Sequence, residues 1–135
     1  MPSSNQVSSE FLANSFVNYL FAEYPGDRHV RRIASWIGFI VKALERVPGL
    51  VFRQRRSRQI GFEYKGREFK VRYSHRIRPP RGIYRGGVEI LEVLPGRGAP
   101  EGGTAVTIAT LADAEEVYRS LRSRLDRFLA SSSRL

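Results

Sequence analysis

The chain has 135 residues, 41% of them hydrophobic, no cysteine, and a formal net charge of +10 at pH 7. That length and apolar share suit a single domain with one core. The absence of cysteine excludes disulfides, thiolate metal sites and a cysteine nucleophile, and fits a reducing, cytoplasmic setting. Residues 1–10 hold no Lys or Arg and no apolar run, unlike a secretory leader. The most apolar stretch, 11–24, is interrupted by Asn14, Asn18 and Glu23 and is too short to span a bilayer, so no membrane partner is expected.

Ser8 or Ser9 can cap a first helix running to about Glu23, where Tyr24, Pro25 and Gly26 stop it. Asp27 can cap a second helix whose apolar stripe is Val30, Ile33, Ala34, Ile37, Ile40, Val41 and Leu44, ended by Val47, Pro48 and Gly49. Trp36 and Phe39 lie off that stripe, and Phe11, Phe16, Tyr19, Leu20 and Phe21 spread widely around the first helix. Helices apolar over such a breadth need cover on two sides, from the sheet and from a second helix or a second subunit, and a homodimer through the helical face is expected.

From Leu50 the period changes to two. Segments 59–64 and 67–74 flank Lys65 and Gly66, a two-residue hairpin turn that pairs Phe62 with Phe69, Ile60 with Val71 and Tyr64 with Arg67. This register puts Ile60, Phe62, Tyr64, Phe69, Val71 and Tyr73 on the apolar side. Gln59, Gly61, Glu63, Glu68, Lys70 and Arg72 fall on the solvated side. Strands are also predicted at 50–53, 87–94 and 104–109, with 95–103 as a mobile Gly- and Pro-rich loop.

Thr110 followed by Asp113 reads as a capping box for a last helix carrying Leu111, Ala114, Val117, Tyr118, Leu121, Leu125, Phe128 and Leu129 at helical spacing. The order ααβββββα predicts an α+β fold: two N-terminal helices, a five-stranded antiparallel meander and a C-terminal helix, with the helices on one face of the sheet. Residues 1–135 are expected to form one domain, with short flexible tails at about 1–8 and 131–135.

Residues 53–85 hold ten Arg and two Lys against Glu63 and Glu68, and 12 − 2 accounts for the whole +10. The other 102 residues carry eleven basic and eleven acidic side chains and sum to zero. Codon bias toward arginine explains 20 Arg beside three Lys, but not the removal of acids from one segment. The segregation points to an anionic partner, nucleic acid first.

In a meander, alternate connections share an end of the sheet. The first turn (Arg55, Arg56, Arg58) then meets the third connection (Arg76, Arg78, Arg81, Tyr84, Arg85), and an antiparallel second helix brings Arg28, Arg31 and Arg32 to the same end. Cations at a helix N-terminus oppose the helix dipole, so these three do not serve helix stability. Phosphate would be favoured there by the free N–H groups and the guanidinium forks together. Pro79 and Pro80 stiffen the third connection, and Tyr84 gives it a face for stacking. These eleven residues are the candidate nucleic-acid contacts. The charge does not separate DNA from RNA or duplex from single strand. A rim of merely solvated or paired arginines, on an oligomeric protein with an acidic partner protein, is the alternative.

Three smaller signals carry less. Tyr24 to Asp27 between two helices resembles a helix-turn-helix, but Trp36, Ile37, Phe39 and Ile40 belong to packing rather than to groove reading. Glu63 and Glu68 face each other with Lys70 two residues on, as in a metal-dependent nuclease, but the third carboxylate is missing and a cross-strand charge ladder is the favoured reading. His29 and His75, the only histidines, fall at the basic end, where an acid–base role competes with that of ordinary polar residues. No catalytic residue, metal site or cofactor is predicted, and the chain reads as non-enzymatic.

Overall fold

A computed structural model describes residues 8–53, 59–77, 85–94 and 101–132. Helix α1 (Ser9–Glu23) starts where the Ser8 hydroxyl accepts the Phe11 N–H at 3.0 Å. Gly26, at φ 77°, reverses the chain into α2 (Arg28–Glu45), whose Asp27 cap accepts N–H bonds from His29 at 2.8 Å and Val30 at 3.2 Å. Strands β1 (Val51–Arg53), β2 (Gln59–Tyr64), β3 (Arg67–Ile77), β4 (Arg85–Val93) and β5 (Glu101–Ile108) form one antiparallel sheet in the order β1-β2-β3-β4-β5. Helix α3 (Leu111–Ser132) opens on a reciprocal cap: Thr110 Oγ1 accepts the Asp113 N–H, and Asp113 Oδ2 accepts the N–H groups of Ala109 and Thr110. The α+β class and the meander are as the periodicities predict.

The β2–β3 register is likewise the predicted one, with Phe62 opposite Phe69, Ile60 opposite Val71 and Glu63 opposite Glu68. Lys65 and Gly66, at φ 51° and 77°, supply the two left-handed residues of the hairpin turn. Strand limits depart from expectation. β3 continues three residues past Ser74, β4 begins at Arg85 rather than Gly87, and β5 begins at Glu101, inside the segment read as a loop. Between the pairs Ser74 with Gly87 and Ile77 with Arg85, β3 holds one extra residue, a bulge that lets pairing continue past the glycines. Residues 95–100 of the expected loop, and the tails at 1–7 and 133–135, lie outside the described residues.

Ile60, Phe62, Tyr64, Phe69, Val71, Val88, Ile90, Val106 and Ile108 alternate along the strands and join the three helices in a single core. Phe62 stacks on Phe69 at its centre, 5.2 Å between centroids. Trp36, which lies off the α2 stripe, is buried in that core. The reason is that α2 touches α1, α3 and β4, so a stripe wide enough for the sheet alone would leave its flanks bare. Phe11 and Phe21 on α1 stay about half exposed.

The opposite face of the sheet is not simply solvated. Lys70, between Gly61 and Leu91 on the neighbouring strands, is only 9% exposed, and Leu91 and Val93 are buried beside it. At mid-sheet, long neighbouring side chains cover one another's stems. Arg53 pairs with Glu63 at 3.6 Å and Arg72 with Glu89 at 3.4 Å, forming the cross-strand ladder.

At the hairpin end, Asp126 of α3 accepts hydrogen bonds from Tyr64 Oη at 2.7 Å and Lys65 Nζ at 2.9 Å, fastening the turn to the helix. The Tyr64 and then the Lys65 bonds hold its carboxyl below the usual aspartate range. A depressed folded pKa means that the unfolded chain takes up this proton first on acidification. The Asp126 contribution is therefore complete above the unfolded value of about 4 and is lost as pH falls through the lower folded value. Melting temperature measured from pH 5 to pH 2 is expected to fall less steeply in Asp126→Asn than in the wild type. Equal slopes would remove the clamp from the account of acid stability.

Candidate nucleic-acid interface

The strand pairing puts the end of β1 at Arg53, the start of β2 at Gln59, the end of β3 at Ile77, the start of β4 at Arg85 and the end of β5 at Ile108 on one end of the sheet. Both arginine-rich connections leave from that end. Their residues Arg55, Arg56, Arg58, Arg78, Arg81 and Tyr84 lie outside the described residues. Arg76 and Arg85 are strand residues, Arg76 within the bulged stretch of β3 and Arg85 paired with Ile77.

Helix α2 reaches the same end through one contact. His29 Nε2–H donates to the Gly86 carbonyl at 2.6 Å, tying the first turn of α2 to the start of β4. Arg28, Arg31 and Arg32 on that turn are exposed, and none of them has an ion-pair partner among the described residues. Asp27, the acid nearest to them in the chain, is spent on the helix cap.

Charge accounting separates the cations of 53–85 into two groups. Arg53, Lys65, Arg67 and Arg72 are ion-paired to Glu63, Asp126, Glu92 and Glu89, and Lys70 is buried and engaged. Of the other seven, Arg55, Arg56, Arg58, Arg78 and Arg81 lie outside the described residues, and Arg76 and Arg85 are the two strand residues named above. Arg53, Arg67 and Arg72 thus serve the sheet and Lys65 ties its hairpin turn to α3, which the charge count alone could not reveal. Their acids are occupied in the process, and so are Asp113, as a cap, and Glu116, which meets Arg124 at 2.8 Å.

Tyr84, the expected aromatic surface, lies outside the described residues, but other rings gather at this end. Tyr24, Tyr73 and His75 form a three-ring cluster with centroids 5.0 to 5.2 Å apart, and Tyr24 Oη is hydrogen-bonded to His75 Nε2. Burial first, then the neighbouring Tyr19 and Tyr73 phenols and Glu23, push the Tyr24 phenol up to about 12, so it stays protonated at neutral pH. Tyr73 lies directly over Gly86, where a Cβ would overlap its phenol, so a side chain at position 86 would displace this ring. The sequence places Tyr73 and His75 two apart on one strand face. Nothing in the pattern indicates that the α1–α2 turn would bring Tyr24 to them. Both histidines do stand at the basic end.

Beside this cluster, a groove of about 390 Å³ runs between the first turns of α2 and the β5–α3 connection. His29, Arg32, Ser35 and Trp36 form one wall, and Thr110 and Leu111 belong to the other. The Trp36 ring meets the His29 ring edge to face, 6.3 Å between centroids.

Glu63 and Glu68 are opposite each other as the register predicts, but Glu63 is engaged by Arg53. Among the described residues no group of three or more His, Asp or Glu is placed to hold a metal, and no helix is long and apolar enough to cross a membrane. Comparison of the chain with protein-family models, curated proteins and solved structures gives no match. What the molecule can do has to be read from its own side chains.

Proposed function

We propose that this protein is a small cytoplasmic, non-enzymatic module that binds nucleic acid through the arginine-rich end of its sheet. The observation that carries the reading is the His29 to Gly86 hydrogen bond, because it holds the exposed Arg28, Arg31 and Arg32 at the end from which both arginine-rich connections depart. Three segments distant in the chain then contribute cations to one field, and their sum through counterion release gives affinity that single exposed contacts do not. The N–H groups of α2 add a favourable site for phosphate among those side chains.

Binding of generic single-stranded and duplex oligonucleotides, measured across a salt series, tests this directly. The logarithm of the association constant is expected to fall steeply with the logarithm of salt concentration, with a slope corresponding to several phosphates. Affinity no greater than that of an unrelated protein of equal net charge would end the proposal.

The half-exposed Phe11 and Phe21 of α1 favour a homodimer through the helical layer. Light scattering behind size-exclusion chromatography is expected to give twice the chain mass, and a monomer at high micromolar concentration would exclude the dimer.

A further inference from the structure

Backbone charge alone does not distinguish single strands from duplex, and the groove beside Trp36 is the feature on which such a distinction can rest. We propose that it receives one unstacked base of a single-stranded nucleic acid, with the adjoining phosphate on Arg32, so that the protein prefers single strands. This rests on the polyanion reading above and names its substrate class.

Four features of the groove support that occupant. Its volume, about 390 Å³, lies within the range of small-molecule sites, about 300–1,000 Å³. Its exposed apolar surface is Leu111, which is 49% exposed and has no core role to explain it, while Trp36 lines the groove from a buried position. Its polar groups are donors and one open ring nitrogen. The Trp36 indole N–H has no hydrogen-bond partner among the described residues although the residue is only 4% exposed, and it is not sealed from solvent. His29 spends Nε2–H on Gly86, which leaves Nδ1 vacant. A base edge, with its mixture of donors and acceptors, satisfies both.

The fourth feature is charge. Arg32 lines the groove, Arg28 and Arg31 stand on the same helical turn, no carboxylate is among the lining residues, and Asp27 and Asp113 at the two helix starts are engaged as caps. An apolar ligand would leave these cations idle, and an anion without a ring would leave Leu111 uncovered and the Trp36 N–H without an acceptor held in place. A base in a duplex reaches the groove only by flipping out, at a cost of a few kcal/mol, whereas a single strand presents its bases already unstacked.

Trp36 is the only tryptophan, so its emission reports the groove itself. The wild-type chain would be titrated with a 15-mer of deoxyadenosine, a mixed-sequence duplex of equal length, adenosine monophosphate, inorganic polyphosphate and a polyglutamate peptide. The 15-mer is expected to quench Trp36 to saturation and to bind about tenfold more tightly than the duplex, in keeping with about 1–3 kcal/mol per stacked base. Polyphosphate is expected to bind without quenching. The mononucleotide is expected to quench only at far higher concentration, since it lacks the contacts to the rest of the rim.

Leu111→Glu closes the groove to a nucleotide while an acid at the first turn of α3 favours that helix, so the fold is kept. In this variant the preference for the single strand is expected to fall to within about twofold of the duplex. Equal quenching by polyphosphate or polyglutamate, or an unchanged preference in Leu111→Glu, would overturn the groove assignment and leave the polyanion rim standing. Failure of every polyanion to bind would overturn both.

Discussion

Replacing Arg28, Arg31 and Arg32 together by alanine is expected to make the salt dependence of nucleic-acid binding shallower by about 2 to 3 in log–log slope and to lower affinity at 0.1 M salt by about a hundredfold, since each phosphate contact contributes a slope of roughly 0.9. The three side chains are exposed and have no carboxylate partner among the described residues, so their removal breaks no ion pair there. Their loss also relieves the first turn of α2, where cations oppose the helix dipole by a few tenths of a kcal/mol each. The variant is therefore expected to melt at or above the wild-type temperature, which separates lost binding from lost folding. Arg78→Ala with Arg81→Ala, on the third connection, is expected to remove about 2 more from the slope. Slopes unchanged in both variants would show that the cations of this end act elsewhere, and the rim proposal would fall with them.

The second large effect concerns stability, at the other end of the sheet. Arg67 and Glu92 form a bidentate pair on the helix-facing side, Nε to Oε2 at 2.5 Å and Nη2 to Oε1 at 2.6 Å, with the guanidinium 6.0 Å from the Phe128 ring. The Glu92 side chain is 6% exposed and that of Arg67 29%, so the carboxylate is sealed while the cation keeps some water. Glu92→Ala leaves the Arg67 guanidinium without its carboxylate. It is expected to cost about 2 to 4 kcal/mol, somewhat below a fully buried pair because Arg67 is not wholly desolvated. Arg67→Met with Glu92→Leu replaces the pair by apolar groups and is expected to lie within about 1 kcal/mol of the wild type. Chemical denaturation of the single and double variants reads the difference. If the double variant is as unstable as Glu92→Ala, the loss comes from shape and not from an unpaired charge.

That pair also marks a boundary of what the pattern could reveal. Alternation puts Arg67 on the same strand face as Phe69 and Val71, and the charge count included it in the basic segment without giving it a partner. Only the position of Glu92, one strand away and diagonal to it, turns it into an internal partner. Lys65, Arg53 and Arg72 were absorbed in the same way, by acids whose proximity depends on pairing and on the placement of α3. A sum of charges along a chain does not know which of them will meet.

What the chain determined by itself is the local chemistry. Ser8, Asp27 and the Thr110–Asp113 box start the helices, Lys65 and Gly66 make the hairpin turn, and alternation sets its register, because each of these depends on neighbours within a few residues. Tertiary structure decided the rest. It buried Trp36 through a three-sided α2, continued β3 past its expected end through a bulge, and brought Tyr24 to His75 and His29 to Gly86. Those contacts join residues 51 and 57 positions apart, and no local preference encodes such a distance. They arise only when the helical layer settles on the sheet, driven by the burial of the common apolar face.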